Sequence, residues 1–210
     1  MNYAVLVSGR GSNLGAILEA VQDGSLKANV VCVISNNPDA LALKIAEEHG
    51  VPAHAIASRG KARVDHESEV LACLEKYKVD FVVLAGYMRV LTPHFLQAFY
   101  DRERSIFKVI NIHPSLLPAF PGASGYEDAF NYGVRISGVT VHLVDEEVDH
   151  GPILAQEAFA REDDDTIETF KQRGLQVEHR LYPQVLANIA THGVQILPRP
   201  DKTKTEAKVK

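Results

Sequence analysis

Cysteine is scarce in this chain. Cys32 and Cys73 are the only two, too few for a disulfide framework. Both sit in apolar runs, VVCVIS and VLACLEKY, that suit reduced, buried side chains. Long hydrophobic runs are missing too, since none approaches the ~20 residues a membrane-spanning helix requires. The opening MNYAVLVSG lacks the basic flank and the length of a secretory leader. Positive charge is not in excess either: 22 Lys and Arg against 27 Asp and Glu leave a net charge of −5. Nucleic-acid binding needs clustered cations, so a mildly acidic chain is a poor general binder of it, although a local site for one small anion remains open. Together these shortages point to a cytoplasmic protein that binds neither nucleic acid nor membrane.

The 210 residues, 46% hydrophobic and 23% charged, have an ordinary globular balance and imply one domain with a substantial core. Short β-branched runs at Tyr3–Ser8, Asn29–Ser35, Asp80–Ala85 and Phe107–Ile112 are nearly continuous rather than alternating. That pattern suits strands buried on both faces of a parallel sheet. Amphipathic helical patterns lie between them at Asn13–Gln22, Pro38–His49 and Ala62–Lys78. Alternating strands and helices predict an α/β, doubly wound, mostly parallel sheet. The rhythm then changes. A Pro- and Gly-rich loop at Pro114–Gly125 leads to a short helix near Tyr126–Tyr132, a strand pair at Val139–Val144 and Ile153–Phe159, and a long C-terminal helix over Thr166–His192, expected to bend at Pro183. Residues 1–195 are read as the domain, and residues 196–210, rich in Lys, as a disordered tail.

Ser8-Gly9-Arg10-Gly11-Ser12-Asn13-Leu14 follows the first strand and opens the first helix. A glycine-rich turn there exposes backbone N–H groups to an anion, and Ser12 and Asn13 are of the type that caps a helix or reaches a phosphate. The competing reading is an ordinary tight turn with a helix cap. A dinucleotide site requires a third glycine where Leu14 stands and an acidic residue ending the second strand, which instead ends Ser35-Asn36-Asn37-Pro38. A nucleoside triphosphate loop requires Gly-Lys-Ser/Thr, which is absent. A phosphate monoester fits better.

Asn111-Ile112-His113-Pro114 ends a buried strand, where open α/β sheets place their sites. Residues i and i+2 share a face, so Asn111 and His113 can converge on a developing oxyanion; a histidine merely closing the strand is the rival reading. In Val139–Pro152, period 2 puts Thr140, His142 and Val144 on one face. Asp145, Glu146 and Glu147 read as a solvated loop, whereas Asp149 is presented by the Gly151-Pro152 turn. Leu84–Pro93 carries Met88, Arg89 and Leu91, which could line a pocket for a flat heteroaromatic ligand or pack ordinarily in the core. His113, His142, Asp149 and His150 are metal-ligand types, but no pair has ligand spacing, and no Gly-x-Ser-x-Gly elbow supports a serine nucleophile. No metal is expected.

In this order, Val7–Leu14, Leu84–Leu91, Asn111–Gly122, Gly138–Pro152 and Glu178-His179-Arg180-Leu181-Tyr182-Pro183 resemble the phosphoribosylglycinamide formyltransferase family, over about residues 1–195. The resemblance implies a Rossmann-like formyltransferase fold and transfer of the formyl group of 10-formyltetrahydrofolate to the amine of glycinamide ribonucleotide in purine biosynthesis. It further implies Asn111, His113 and Asp149 as the catalytic trio, Gly11, Ser12, Asn13 and Arg63 as phosphate ligands, and Glu178 as an amine contact. Met88, Arg89, Val90, Leu91, Val144 and Asp145 would bind folate, with His142 in support. Ser124 stands where that family usually has a histidine. Three other readings stay open. A formyltetrahydrofolate hydrolase is expected to carry a further N-terminal domain, whereas the first strand here begins at residue 3. A methionyl-tRNA formyltransferase is expected to carry a basic RNA-binding domain. A non-catalytic phosphate-ligand binding module would transfer nothing. A homodimer also stays open.

Overall fold

The structure is a computed structural model that describes residues 1–197. The expected tail falls mainly on residues 198–210, outside the described residues. In chain order the elements are β1 (Asn2–Val7), α1 (Ser12–Gln22), β2 (Asn29–Ser35), α2 (Leu41–Glu48), β3 (Ala53–Ala55), α3 (Arg63–Leu74), β4 (Phe81–Leu84) and α4 (Pro93–Gln97). There follow the two-residue strands β5 (Tyr100–Asp101) and β6 (Ile106–Phe107), then β7 (Val109–His113), α5 (Gly125–Tyr132), β8 (Ile136–Leu143), β9 (Ile153–Ala160) and α6 (Ile167–His192).

Seven strands form one sheet in the order β3-β2-β1-β4-β7-β8-β9. The pairs from β3 to β7 are parallel, while β7/β8 and β8/β9 are antiparallel. Alternation along β1 explains its continuous apolar sequence. Tyr3, Val5 and Val7 face a core shared with α1 and α6, and Ala4 and Leu6 face a second core with α3 and α4. A strand buried on both sides cannot show a polar face. The long helix α6 is fixed to the sheet by two buried phenols: Tyr3 donates to Leu186 O at 2.7 Å, and Tyr182 donates to Leu84 O and Ile110 O at 3.0 and 3.1 Å. The chain runs outward from β1 to β3, then returns to β4 on the other side of β1. That reversal makes the topological switch point at which such sheets bind ligands.

Several boundaries differ from expectation for local reasons. Residues 38–40 form a turn instead of the start of α2, because Asn37 Oδ1 accepts from Asp39 N (3.1 Å) and Asn37 O from Ala40 N (3.2 Å), an Asx turn. Helix α3 stops at Leu74, not Lys78: Lys76 and Tyr77 N–H groups bond three residues back, tightening its end. The run expected at Phe107–Ile112 is broken at Lys108, whose backbone bonds instead to Phe99 and Val82. Helix α6, by contrast, covers the expected range with Pro183 inside it. Its start is closed by a capping box of Thr166 and Thr169.

Candidate active site

The glycine loop leaves β1 and enters α1 through Gly11, the N-cap, with φ of 79°. Gly11 is required twice over. The left-handed conformation disfavours any side chain, and a Cβ there would lie 2.7 Å from Ala42 Cβ. No side chain caps α1, which corrects the expectation that Ser12 or Asn13 does so. The first helical bond runs from Gly15 N to Gly11 O (2.9 Å), so the preceding N–H groups lie ahead of the ladder. Ser12 is exposed. Asn13 is buried, and its amide donates to Glu178 Oε2 at 2.5 Å.

The polar centre is built on β7 and β8. Asn111 lies directly opposite His142 in the antiparallel register, and His113 opposite Thr140. His142 Nδ1 faces Leu143 O at 2.9 Å, so Nδ1 carries the proton. Burial holds the His142 pKa below its ordinary value, keeping the ring neutral with Nε2 as an acceptor. The Asn111 amide lies 3.2 Å from Nε2 and therefore turns its NH2 group toward the ring, with one N–H left over. His113 is 3% exposed. Its Nε2 donates to Phe120 O at 2.8 Å, and its Nδ1 lies 3.3 Å from Asp149 Oδ2. Nδ1 is thus the ring nitrogen turned to the carboxylate. Asp149 Oδ2 also accepts from Gly122 N (2.7 Å), and Oδ1 is 3.7 Å from His142 Nε2.

Phe120 and Asp149 both adopt positive φ, 50° and 54°. Strain of this kind persists only where surroundings over-determine it, and here it aims a carbonyl and a carboxylate at the same imidazole. The loop beyond His113 is pinned by Thr140 Oγ1, which donates to Ser115 O (2.7 Å) and accepts from Leu117 N (3.0 Å). Gln156 donates to Leu117 O (2.9 Å).

These groups face a cavity of about 680 Å³, lined by residues 8–13, 84–91, 111–114, 122–123 and 144–149, with His142, Leu175 and Glu178. Ser8 ties two walls together, accepting from Met88 N at 2.8 Å and donating to Asn36 Oδ1 at 2.5 Å. Met88 and Val90 are exposed, 71% and 48%, and Arg89 is half-buried, whereas Leu91 packs in the second core. Asp145 serves its own loop: Oδ1 accepts from Glu147 N (3.0 Å), and Oδ2 lies 2.8 Å from His150 Nδ1. Arg63 is exposed at the start of α3 and outside the cavity lining; Ser124, exposed, is the N-cap of α5. Sequence reasoning missed Ser8, Phe120, Tyr126, Thr140 and Gln156. Their roles arise from contacts between distant segments, and only Thr140, on the His142 face of its strand, left a local signal. Among the described residues no group of three His, Cys, Asp or Glu side chains is arranged to hold a metal ion.

Fold and site together define an α/β protein with a ligand cavity at its switch point and an Asn–His–Asp centre inside it. A family model, formyl transferase, matches residues 1–186. The chain belongs to this formyl transferase family. It is 38% identical to the phosphoribosylglycinamide formyltransferase of Bacillus subtilis, over 89% of this chain and 93% of that one. It is 39% identical to the human trifunctional purine biosynthetic protein adenosine-3, over 92% of this chain but only 19% of that protein. The solved structure of glycinamide ribonucleotide transformylase 1 from Symbiobacterium toebii superimposes with a TM-score of 0.86 at 38% identity, covering 94% of each chain.

Proposed function

We propose that this chain transfers the formyl group of 10-formyltetrahydrofolate to the primary amine of glycinamide ribonucleotide, a step of purine biosynthesis, with residues 1–195 as the working unit. The observation that carries this reading is the meeting of Asn111, His113 and Asp149 between the glycine loop and the Met88–Leu91 segment in one cavity. The phosphate lies on the N–H groups around Gly11–Asn13, beside Arg10, which lines the cavity and is exposed. Arg63 stands apart from this set, so the phosphate reading rests on the loop. The folate lies along Met88–Leu91 and the Val144–Asp149 loop, whose exposed Met88, Val90 and Val148 offer apolar area to a flat ring.

The amine attacks the formyl carbon, and the carbonyl becomes an oxyanion. The free N–H of Asn111 donates to that oxyanion, and a His113 imidazolium, its Nδ1 turned to Asp149, adds positive charge beside it; one such oxyanion donor contributes about 3–4 kcal/mol of barrier lowering. Collapse breaks the bond between the formyl carbon and the folate nitrogen. That nitrogen takes up a proton and the amine gives one up, with His113 and Asp149 as the exchanging pair. His142 holds Asn111 in its donating orientation. Remote binding of the phosphate positions the amine.

The test is to incubate the protein with 10-formyltetrahydrofolate, with and without glycinamide ribonucleotide. Folate turnover that requires the ribonucleotide, with a formylated product, is the expected result. Turnover without the amine selects the hydrolase, and no turnover selects a binding module.

A further inference from the structure

Outside the Asn–His–Asp centre, three helices converge on one buried carboxylate. Glu178 of α6 is 6% exposed and lines the cavity. Its Oε2 accepts from the Asn13 amide of α1, and its Oε1 accepts from the Tyr126 hydroxyl of α5, both at 2.5 Å. Among the described residues no Lys or Arg pairs with it. Both partners are neutral donors, so each carboxylate oxygen serves as an acceptor. A carboxylate has about four lone-pair sites, so two remain. A third acceptor stands beside them: Asn13 Oδ1 is buried and has no hydrogen-bond partner among the described residues. An unpaired buried acceptor costs free energy unless something bound there donates to it.

Tyr126 is placed with unusual care for this contact. It is 7% exposed and stacks among Phe159 and Phe170. Phenylalanine would satisfy that apolar nest, and a buried hydroxyl there is unfavourable without a partner. Burial and the Glu178 charge push its pKa far up, so the hydroxyl stays protonated and can only donate to the carboxylate. Gly174, one helical turn before Glu178, makes room for the ring: a Cβ there would lie 2.4 Å from its Cε1, Cζ and hydroxyl atoms. One helix therefore supplies both the carboxylate and the clearance for the side chain that holds it.

We propose that Tyr126 is a positioning residue for the amine-bearing substrate: with Asn13 it fixes the Glu178 carboxylate, so that Glu178 and the unpaired Asn13 Oδ1 form one acceptor edge for the substrate's N–H groups. This rests on the formyl-transfer reading above. Because the phosphate loop supplies Asn13, the same contact ties amine recognition to phosphate recognition through one residue.

Tyr126→Phe removes only the hydroxyl and keeps the ring in its nest. Without that donor, Glu178 Oε1 is free to turn. KM for glycinamide ribonucleotide should rise about tenfold, the scale of one charged hydrogen bond. KM for the folate should stay within about twofold and kcat within about threefold of wild type, because neither contact touches the Asn111 centre. Tyr3→Phe is the control, since it deletes another buried hydroxyl, bonded to Leu186 O at 2.7 Å, far from Glu178 in the chain. It should leave both KM values unchanged. An unchanged ribonucleotide KM in Tyr126→Phe, an equal rise for both substrates, or the same rise in Tyr3→Phe would overturn the role of Tyr126. Wild-type protein that transfers no formyl group would overturn the underlying reading and this one with it, whereas transfer with an indifferent Tyr126→Phe overturns this one alone.

Discussion

Asp149→Asn isolates a charge. The Oδ2 atom that faces His113 Nδ1 at 3.3 Å also accepts from Gly122 N at 2.7 Å. An amide placed there must turn its oxygen to Gly122, so a neutral carbonyl ends up where the charged oxygen was. Its NH2 group takes the place of Oδ1, which is 3.7 Å from His142 Nε2. Shape and loop contact survive, and only the counter-charge of His113 is lost. Two unit charges at that separation attract by about 5 kcal/mol at an effective dielectric constant of 20. Desolvation offsets part of this, because the two side chains are only 4% and 9% exposed. About 2–4 kcal/mol should remain in the transition state, where the imidazolium bears on the oxyanion, which corresponds to a fall in kcat of about 30-fold to 10³-fold.

Steady-state formyl transfer with each substrate varied in turn measures this directly. KM for both substrates should stay within about threefold, because Asp149 acts on the reacting atoms and not on the phosphate or the folate ring. Thermal melting should show a folded protein with a similar midpoint. A variant with near-normal kcat, or one whose whole loss lies in KM, would refute the assignment of Asp149 to the chemical step.

Ser12→Ala should raise KM for the phosphorylated substrate by several-fold, about the loss of one hydroxyl contact, and leave folate affinity unchanged in a binding titration; equal damage to both ligands contradicts the phosphate-loop role. Tyr182→Phe leaves Leu84 O and Ile110 O without their shared donor, so stability should fall by about 1–3 kcal/mol in urea denaturation with little change in the slope. The His142 pKa is lowered in the native state, so below about 6.5 the unfolded chain takes up a proton that the folded chain refuses. Its contribution to stability is therefore whole above that pH and lost as pH falls through it, at up to about 1.4 kcal/mol per pH unit. His66, also lowered by burial, adds in the same sense. Melting curves between pH 8 and 5 should show the midpoint dropping, and His142→Gln should flatten that slope; a midpoint that rises on acidification would overturn the neutral-imidazole assignment.

The parallel half of the fold was legible because burial on both faces leaves a signature in single strands such as Asn29–Ser35, which the structure reproduces residue for residue. Strand β3 was not, because its Ala-His-Ala at the sheet edge has neither a hydrophobic run nor alternation. The same division holds in the cavity. Asn111 and His113 could be placed on one face from the i, i+2 rule alone, and they do meet there. Nothing local announces that Phe120 turns its carbonyl onto His113, that Ser8 receives Met88 N, or that Tyr126 reaches Glu178 across 52 residues. Those contacts depend on how loops return, and loop return is not a periodic property of sequence.

The acidic loop shows why that matters for chemistry. Strand β8 runs antiparallel to β7, so its end lies at the beginning of β7: Val144 N bonds to Val109 O at 2.9 Å. A loop that simply left the sheet there would carry its carboxylates away from the carboxyl ends of β1, β4 and β7, where the cavity lies. Instead Asp145 braces residues 145–150 internally, through Glu147 N and His150, and Asp149 folds back over β7 to His113 in a left-handed conformation. The antiparallel strand does two things that a parallel neighbour joined by a crossover would not do in this way. It sets His142 directly against Asn111, which fixes the amide's donor, and it launches a loop short enough to return the carboxylate to the same imidazole. The change of strand direction between β4/β7 and β7/β8 is thus the feature of the fold on which the Asn–His–Asp centre depends. Insertions in residues 146–148 should consequently disable turnover far more than they disturb folding.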